Sequence, residues 1–172
     1  KKPEATAAAI DRDGWFHTGD AGYLKDSHLY LTERIKDLFK TSNGKYISPQ
    51  ALETKLAIDR YIDQIAVIAD ERKFVSALIV PVYGFVKDYA KEKGIAYSNM
   101  DELLQHPKIQ ALFRARIDTL QQQFAHYEQV KRFTLLTEPF SMERGELTNT
   151  LKLKRSVVAK NYKGLIDKMY EE

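Results

Sequence analysis

The rhythm of apolar and polar positions changes twice along the chain. Up to about residue 35, short apolar groups alternate with small or polar residues. "GWFHTGD", "AGYLKD" and "SHLYLTE" predict three short strands, with Asp26-Ser27 as a tight turn. At "ERIKDLFK" charge clusters around a few apolar positions, and "TSNGK" predicts a loop with a flexible tip ahead of Tyr46-Ile47. Ser48-Pro49 predicts a helix start, Ser48 as N-cap and Pro49 in the first position, with Leu52, Leu56 and Ile58 as the apolar face of a helix over 49–58. "IDQIAVIAD" and "FVSALIVPV" are apolar, β-branched and separated by the charged tip "ERK", which predicts an antiparallel hairpin at the centre of a small sheet.

From Gly84 the period becomes helical. "FVKDYAKEKG" stops at Gly94, and Ile109, Leu112, Phe113, Ile117, Leu120 and Phe124 recur at helical spacing after Pro107. The aromatic residues on these amphipathic helices are expected to be core rather than a ligand platform. "VKRFTLLTEPF" predicts a strand, "SMERGELTNTLKLKR" a loop, and "SVVAKNYKGLIDKMY" one closing helix capped by Ser156. Strands and helices without regular alternation predict an α+β fold: a small mixed or antiparallel sheet flanked by helices, preceded by a short β-rich segment.

Composition narrows the classes of function. A chain of 172 residues with 44% hydrophobic content suits one domain, or a domain plus part of another. The 27 basic and 24 acidic residues nearly balance at a net charge of +3, which gives no basis for a nucleic-acid partner. Without cysteine, the chain has no disulfide, thiolate metal site or cysteine nucleophile, and a reducing compartment fits. His17, His28, His106 and His126 show no metal-ligand spacing, so no metal site of the protein's own is expected. No apolar run approaches the ~18 residues that cross a bilayer, which predicts a soluble, cytoplasmic protein. Residues 1–9 are small and polar with no initiation signal, and the chain is expected to be a piece of a longer one.

Three segments carry candidate chemistry. "DGWFHTGDAGYL", "ERIKDLFKTSNGKYISPQALE" and "LTNTLKLKR", in this order and spacing, resemble the carboxyl-terminal signatures of the adenylate-forming superfamily, and most specifically its long-chain fatty acid–CoA ligase branch. The resemblance spans nearly the whole chain. It implies an enzyme that joins a fatty acid to the α-phosphate of ATP, releasing pyrophosphate, and then transfers the acyl group to coenzyme A with loss of AMP. It further implies that residues 1–35 are the last strands of an amino-terminal adenylation domain absent from this chain, and that 36–172 form a mobile lid. The fragment alone is then expected to be inactive, with magnesium arriving through ATP and held largely by the absent domain. The complete enzyme would be cytoplasmic, with a membrane surface as a second location.

Residue by residue, the resemblance makes Asp20 the carboxylate that accepts hydrogen bonds from the ribose hydroxyls. Its bland alternative is a turn residue. Arg34 becomes the arginine of the ribose and phosphate region, against a surface ion pair with Glu33 or Asp37. Lys36 takes the hinge position, and Gly44 the glycine beside the coenzyme A tunnel, where a side chain would obstruct the thiol. Lys152 matches the lysine that bridges two mutually repelling anions during adenylation, and Lys154 is the alternative if the register slips. Asn149 and Leu151 stand where the family pattern usually has other residues, and Tyr46 replaces an arginine or glutamine, so that phosphate contact is not carried over. Two other readings remain: a ligase for an aryl or medium-chain acid, and a non-catalytic binding module that keeps the lid fold.

Overall fold

A computed structural model describes residues 2–171, apart from the side chain of Glu33. The chain opens with a helix, α1 (Pro3–Ala9), where an alanine-rich run follows a proline in the first turn. "GWFHTGD" does not become a strand. Asp11 accepts the backbone N–H groups of Asp13 and Trp15 and curls the chain, so before Asp20 only Phe16 pairs, in a single bridge to Ile10. The next two expected strands do form an antiparallel hairpin, β1 (Asp20–Lys25) and β2 (His28–Arg34). Asp26 and Ser27 both have positive φ, 50° and 61°, the turn sense that suits the twist of a two-residue hairpin. At the bulge beside Gly22 a Cβ would meet the Tyr30 carbonyl oxygen at 2.5 Å, so only glycine fits.

A 3₁₀ turn (Ile35–Asp37) leads into β3 (Phe39–Lys40) and β4 (Tyr46–Ile47), a minimal antiparallel pair around the TSNGK loop. Helix α2 (Pro49–Leu56) starts as expected, with the Ser48 hydroxyl accepting the Ala51 N–H at 3.2 Å. It ends short of Ile58, which is exposed. The antiparallel hairpin β5 (Ile62–Ile68) and β6 (Val75–Pro81) follows, then α3 (Tyr83–Glu92), which ends before Gly94 at φ +62°. A short helix not foreseen from periodicity, α4 (Met100–Gln105), is capped by Asn99 and by Glu102 reaching back to the Ser98 N–H. Helix α5 (Pro107–Leu120) carries the predicted apolar face. Phe124 lies past its end but still packs on the core.

Strand β7 (Val130–Leu135) then pairs parallel to β6, giving a mixed sheet in the order β5-β6-β7. The crossover through three helices is what a parallel pair requires. The closing segment is two helices rather than one: α6 (Arg155–Asn161) and α7 (Lys163–Tyr170). Lys154 holds the N-cap position, and Ser156 lies inside the first turn. The break falls at Tyr162, whose ring turns edge-on to Phe140 with centroids 5.8 Å apart.

Period-two alternation in β6 explains how one sheet serves two cores. Val75, Ala77 and Ile79 join a cluster with Leu52 and Leu56 of α2, Val86 of α3 and Phe113 of α5. Leu78 and Val80 point the other way, to Phe140, Val158 of α6 and Ile166 of α7. Every residue of β6 is buried because it is the central strand with both faces covered. Its one hydroxyl, Ser76, is satisfied by the Tyr170 hydroxyl at 2.8 Å, which fixes α7 against the sheet.

Candidate active site

The sequence-expected residues fall into three places. Asp20 and Arg34 face each other across the β1–β2 ladder and form an ion pair, with Arg34 Nε 2.8 Å from Asp20 Oδ1. Asp20 is also fixed by its own N–H, which donates to the Thr18 hydroxyl at 3.1 Å, while the Ile35 N–H donates to the Gly19 carbonyl at 2.8 Å. Arg34 thus pairs across the hairpin rather than with Asp37; the side chain of Glu33 lies outside the described residues. Asp20 Oδ2 accepts no hydrogen bond from the described residues. A carboxylate held by an ion pair retains acceptor capacity for a vicinal diol.

Gly44 sits at the tip of the β3–β4 loop with φ +74°, and a Cβ there would meet nothing within 4 Å. The loop is closed beneath it: the Thr41 hydroxyl accepts the Lys45 N–H at 3.1 Å, and the Gly44 N–H donates to the Thr41 carbonyl at 2.8 Å. Glycine is set here by backbone conformation and not by crowding within the chain.

Lys36 and Lys152 meet at the third place, a cleft of about 870 Å³ whose wall also includes Phe39, Glu53, Arg72 and Arg155. Neither Asp20, Arg34 nor Gly44 lines it, and Lys154 does not either. Lys152 lies on a loop pinched by an antiparallel bridge between Leu147 and Leu153. Within it the Lys152 N–H donates to the Thr148 hydroxyl at 3.0 Å, and the Thr148 N–H to the Lys152 carbonyl at 2.8 Å. The Lys152 ammonium has no ion-pair partner among the described residues, whereas Arg155 and Arg72 on the same wall are paired.

Those pairs were not visible in the sequence. Arg155 forks onto Glu53, one nitrogen at 2.6 Å and the other closer still, and Glu53 also accepts the Val67 N–H at 2.8 Å. The fork ties the start of α6 to α2 and β5 across 102 positions, beyond any local signal. Arg72 bridges to Asp167 of α7 at 2.8 Å, and hydrogen bonds from Lys163 and Arg72 hold that carboxyl below its ordinary range. Glu146 is buried outright beneath the Lys152 loop. Burial alone would raise its pKa, but hydrogen bonds from Arg144, Asn161 and the Ser141 N–H outweigh it and lower the pKa on balance. Among the described residues no group of three or more His, Asp or Glu side chains could hold a metal ion. No described helix is long and apolar enough to cross a membrane.

Comparison with known proteins agrees with this architecture. The family described as "AMP-binding enzyme C-terminal domain" matches residues 36–172. The long chain acyl-CoA synthetase 7, peroxisomal, of Arabidopsis thaliana is 35% identical over 176 aligned residues, covering all of this chain and 25% of its own. The long-chain-fatty-acid–CoA ligase 5 of Rattus norvegicus is 36% identical, covering 99% of this chain and 26% of its own. The chain therefore spans about a quarter of the length of these relatives. Among solved structures, the adenylation domain of a carboxylate reductase from Mycobacterium chelonae superposes with a TM-score of 0.78 at 26% identity, over all of this chain and 25% of that one. The corresponding domain from Segniliparus rugosus, in complex with AMP and a co-purified carboxylic acid, gives 0.77 at 24% identity over 99% of this chain and 25% of that one, which speaks to the fold. With a family match over well more than half its length, this chain belongs to the AMP-binding enzyme C-terminal domain family of the adenylate-forming enzymes.

Proposed function

We propose that this chain is the carboxyl-terminal end of an ATP-dependent long-chain fatty acid–CoA ligase. Residues 36–172 act as its mobile lid, and residues 1–35 as the closing strands of an adenylation domain that supplies the acyl and adenine pockets. The observation that carries this reading is Lys152: an ammonium with no ion-pair partner among the described residues, on a pinched loop, lining the same cleft as Lys36 at the segment junction. A cation meant to enter another site must not be neutralised where it rests.

ATP as substrate supplies the phosphorus that the fatty acid carboxylate attacks, with pyrophosphate leaving. The carboxylate and the phosphate oxygens repel each other, and Lys152 lowers that repulsion when brought between them in a water-poor site. Asp20, steadied by Arg34, accepts the ribose hydroxyls. Lys36, on an exposed 3₁₀ turn with few contacts, takes up the torsional change as the lid swings. In the second pose the bare backbone at Gly44 leaves room for the coenzyme A thiol, which displaces AMP. Magnesium would come with the ATP phosphates.

The test uses the complete protein carrying this sequence. Lys152→Ala is expected to lower fatty-acid-dependent ATP–pyrophosphate exchange by about 10²- to 10³-fold, or about 2.7–4 kcal/mol of transition-state stabilisation. Lys154→Ala is expected to leave it unchanged, and Lys152→Ala to spare thioester formation from preformed acyl-adenylate. Undiminished exchange in Lys152→Ala would favour the non-catalytic module. A panel of long-chain, medium-chain and aryl acids reads the acyl preference.

A further inference from the structure

Glu146 is a fully buried carboxylate with no part in the chemistry just described. Its Oε2 accepts the Ser141 N–H at 3.0 Å, its Oε1 accepts Asn161 Nδ2 at 3.1 Å, and Arg144 Nε lies 3.1 Å from both oxygens. These donors come from three separate places: the start of the 141–146 turn, that turn's crest, and the last residue of α6. An apolar side chain of the same size would fill the space, but it would gather none of them.

What the carboxylate gathers is the stem of the Lys152 loop. The Glu146 carbonyl accepts the Lys154 N–H at 2.7 Å, and the next pair up is the Leu147–Leu153 bridge. Above the stem, residues 148–152 contribute nothing buried, and Leu151 stands at φ +59°, a conformation that a leucine rarely holds unaided. The tip therefore has no core of its own. Its direction depends on how firmly the two stem strands are fastened. The outgoing strand runs into the Arg155–Glu53 fork; the incoming strand is anchored at its start by buried Phe140 and at Leu147 by partial packing on the same cluster, and between them Glu146 and its donors tie it to the end of α6.

We propose that Glu146 is a positioning residue for Lys152: its carboxylate locks the stem of the lysine loop to the end of α6 and so aims the ammonium. This rests on the reading of Lys152 as the adenylation lysine. A displacement of about 1 Å in a group of this kind costs on the order of 100-fold in rate.

The test compares Glu146→Gln, Asn161→Ala and Lys152→Ala with the parent in the complete protein. Glu146→Gln is expected to lower kcat of ATP–pyrophosphate exchange about 10- to 100-fold, with KM for ATP and fatty acid little changed and thioester formation from preformed acyl-adenylate intact. By amide hydrogen exchange, the Lys152 and Lys154 N–H groups should lose protection while β5 and β6 keep theirs. Asn161→Ala, which removes one donor and leaves the carboxylate, should show the same selectivity with a smaller loss. Pyrophosphate exchange within twofold of the parent in Glu146→Gln, beside a Lys152→Ala that has lost it, overturns the proposal and leaves the lysine reading standing. If Glu146→Gln loses protection in β5 and β6 as well, Asn161→Ala decides: equal losses in both half-reactions, or none, overturn the proposal. If Lys152→Ala keeps its activity, the lysine reading fails, and protection at Lys152 and Lys154 in Glu146→Gln still decides whether Glu146 fixes the loop.

Discussion

In β6 every side chain is buried, whereas among the described side chains of residues 2–40 none is. The two regions share the same alternating grammar. In the β1–β2 hairpin, Leu24, Leu29 and Leu31 are at least 65% exposed, and Tyr23 and Tyr30 stack on each other at 5.1 Å. In the sheet, the corresponding apolar positions meet helices on both sides. The hairpin is held by its ladder, its two-residue turn and the Asp20–Arg34 pair, while the sheet is held by apolar burial. A lone two-stranded hairpin is marginal in water. If Asp20 serves as proposed, its geometry needs something over these leucines, and the adenylation domain proposed to continue from residues 1–35 would supply that cover.

The comparison breaks most easily by truncating one side chain in each region. Phe113→Ala should destabilise this chain by about 3–5 kcal/mol, because the ring is fully buried against Tyr61 and Phe133. Leu24→Ala should change stability by less than about 0.5 kcal/mol. Urea unfolding of both variants checks this, and equal effects would mean that the hairpin is buried in solution. Acid sharpens the contrast next. The Glu146 pKa is lowered by folding, so its contribution is fully present above the ordinary glutamate range near 4.3 and is lost as pH falls through that range and below. The urea midpoint of the parent should therefore fall more steeply between about pH 5 and pH 3 than that of Glu146→Gln. Gly44→Ala is expected to cost about 1 kcal/mol from the positive φ alone, since nothing crowds a Cβ there. A much larger cost would mean that the loop tip is packed.

Elements whose partners lie next to them in sequence were legible. The Asp26-Ser27 turn, the Ser48 cap, the β5–β6 hairpin with its charged tip and the face of α5 all follow from spacing within a few residues. The failures have local causes too. "PEATAAA" reads as polar and small, yet alanine has the highest helix propensity. Helix α4 spans six residues, too few for periodicity, and only its Asn99–Glu102 cap announced it. Ser156 resembles a cap, but helix α6 already begins at Arg155. The parallel partner of β6 could not be read from alternation, which gives a strand its faces and not its neighbours. At the site, Asp20, Arg34, Lys36, Gly44 and Lys152 came from motif wording. Glu53 and Glu146 came only from the fold, because a buried glutamate looks like any surface glutamate until its donors are known.

The Glu53–Arg155 fork has a consequence in time. At ordinary synthesis rates of about 5–20 residues per second, the 102 positions between them mean that the glutamate leaves the ribosome roughly 5–20 s before its arginine exists. Over that interval α2 must stay docked through Leu52, Leu56 and the Glu53–Val67 hydrogen bond, with no guanidinium beside the acid. The lysine-bearing loop is then among the last parts of the nascent chain to find its place.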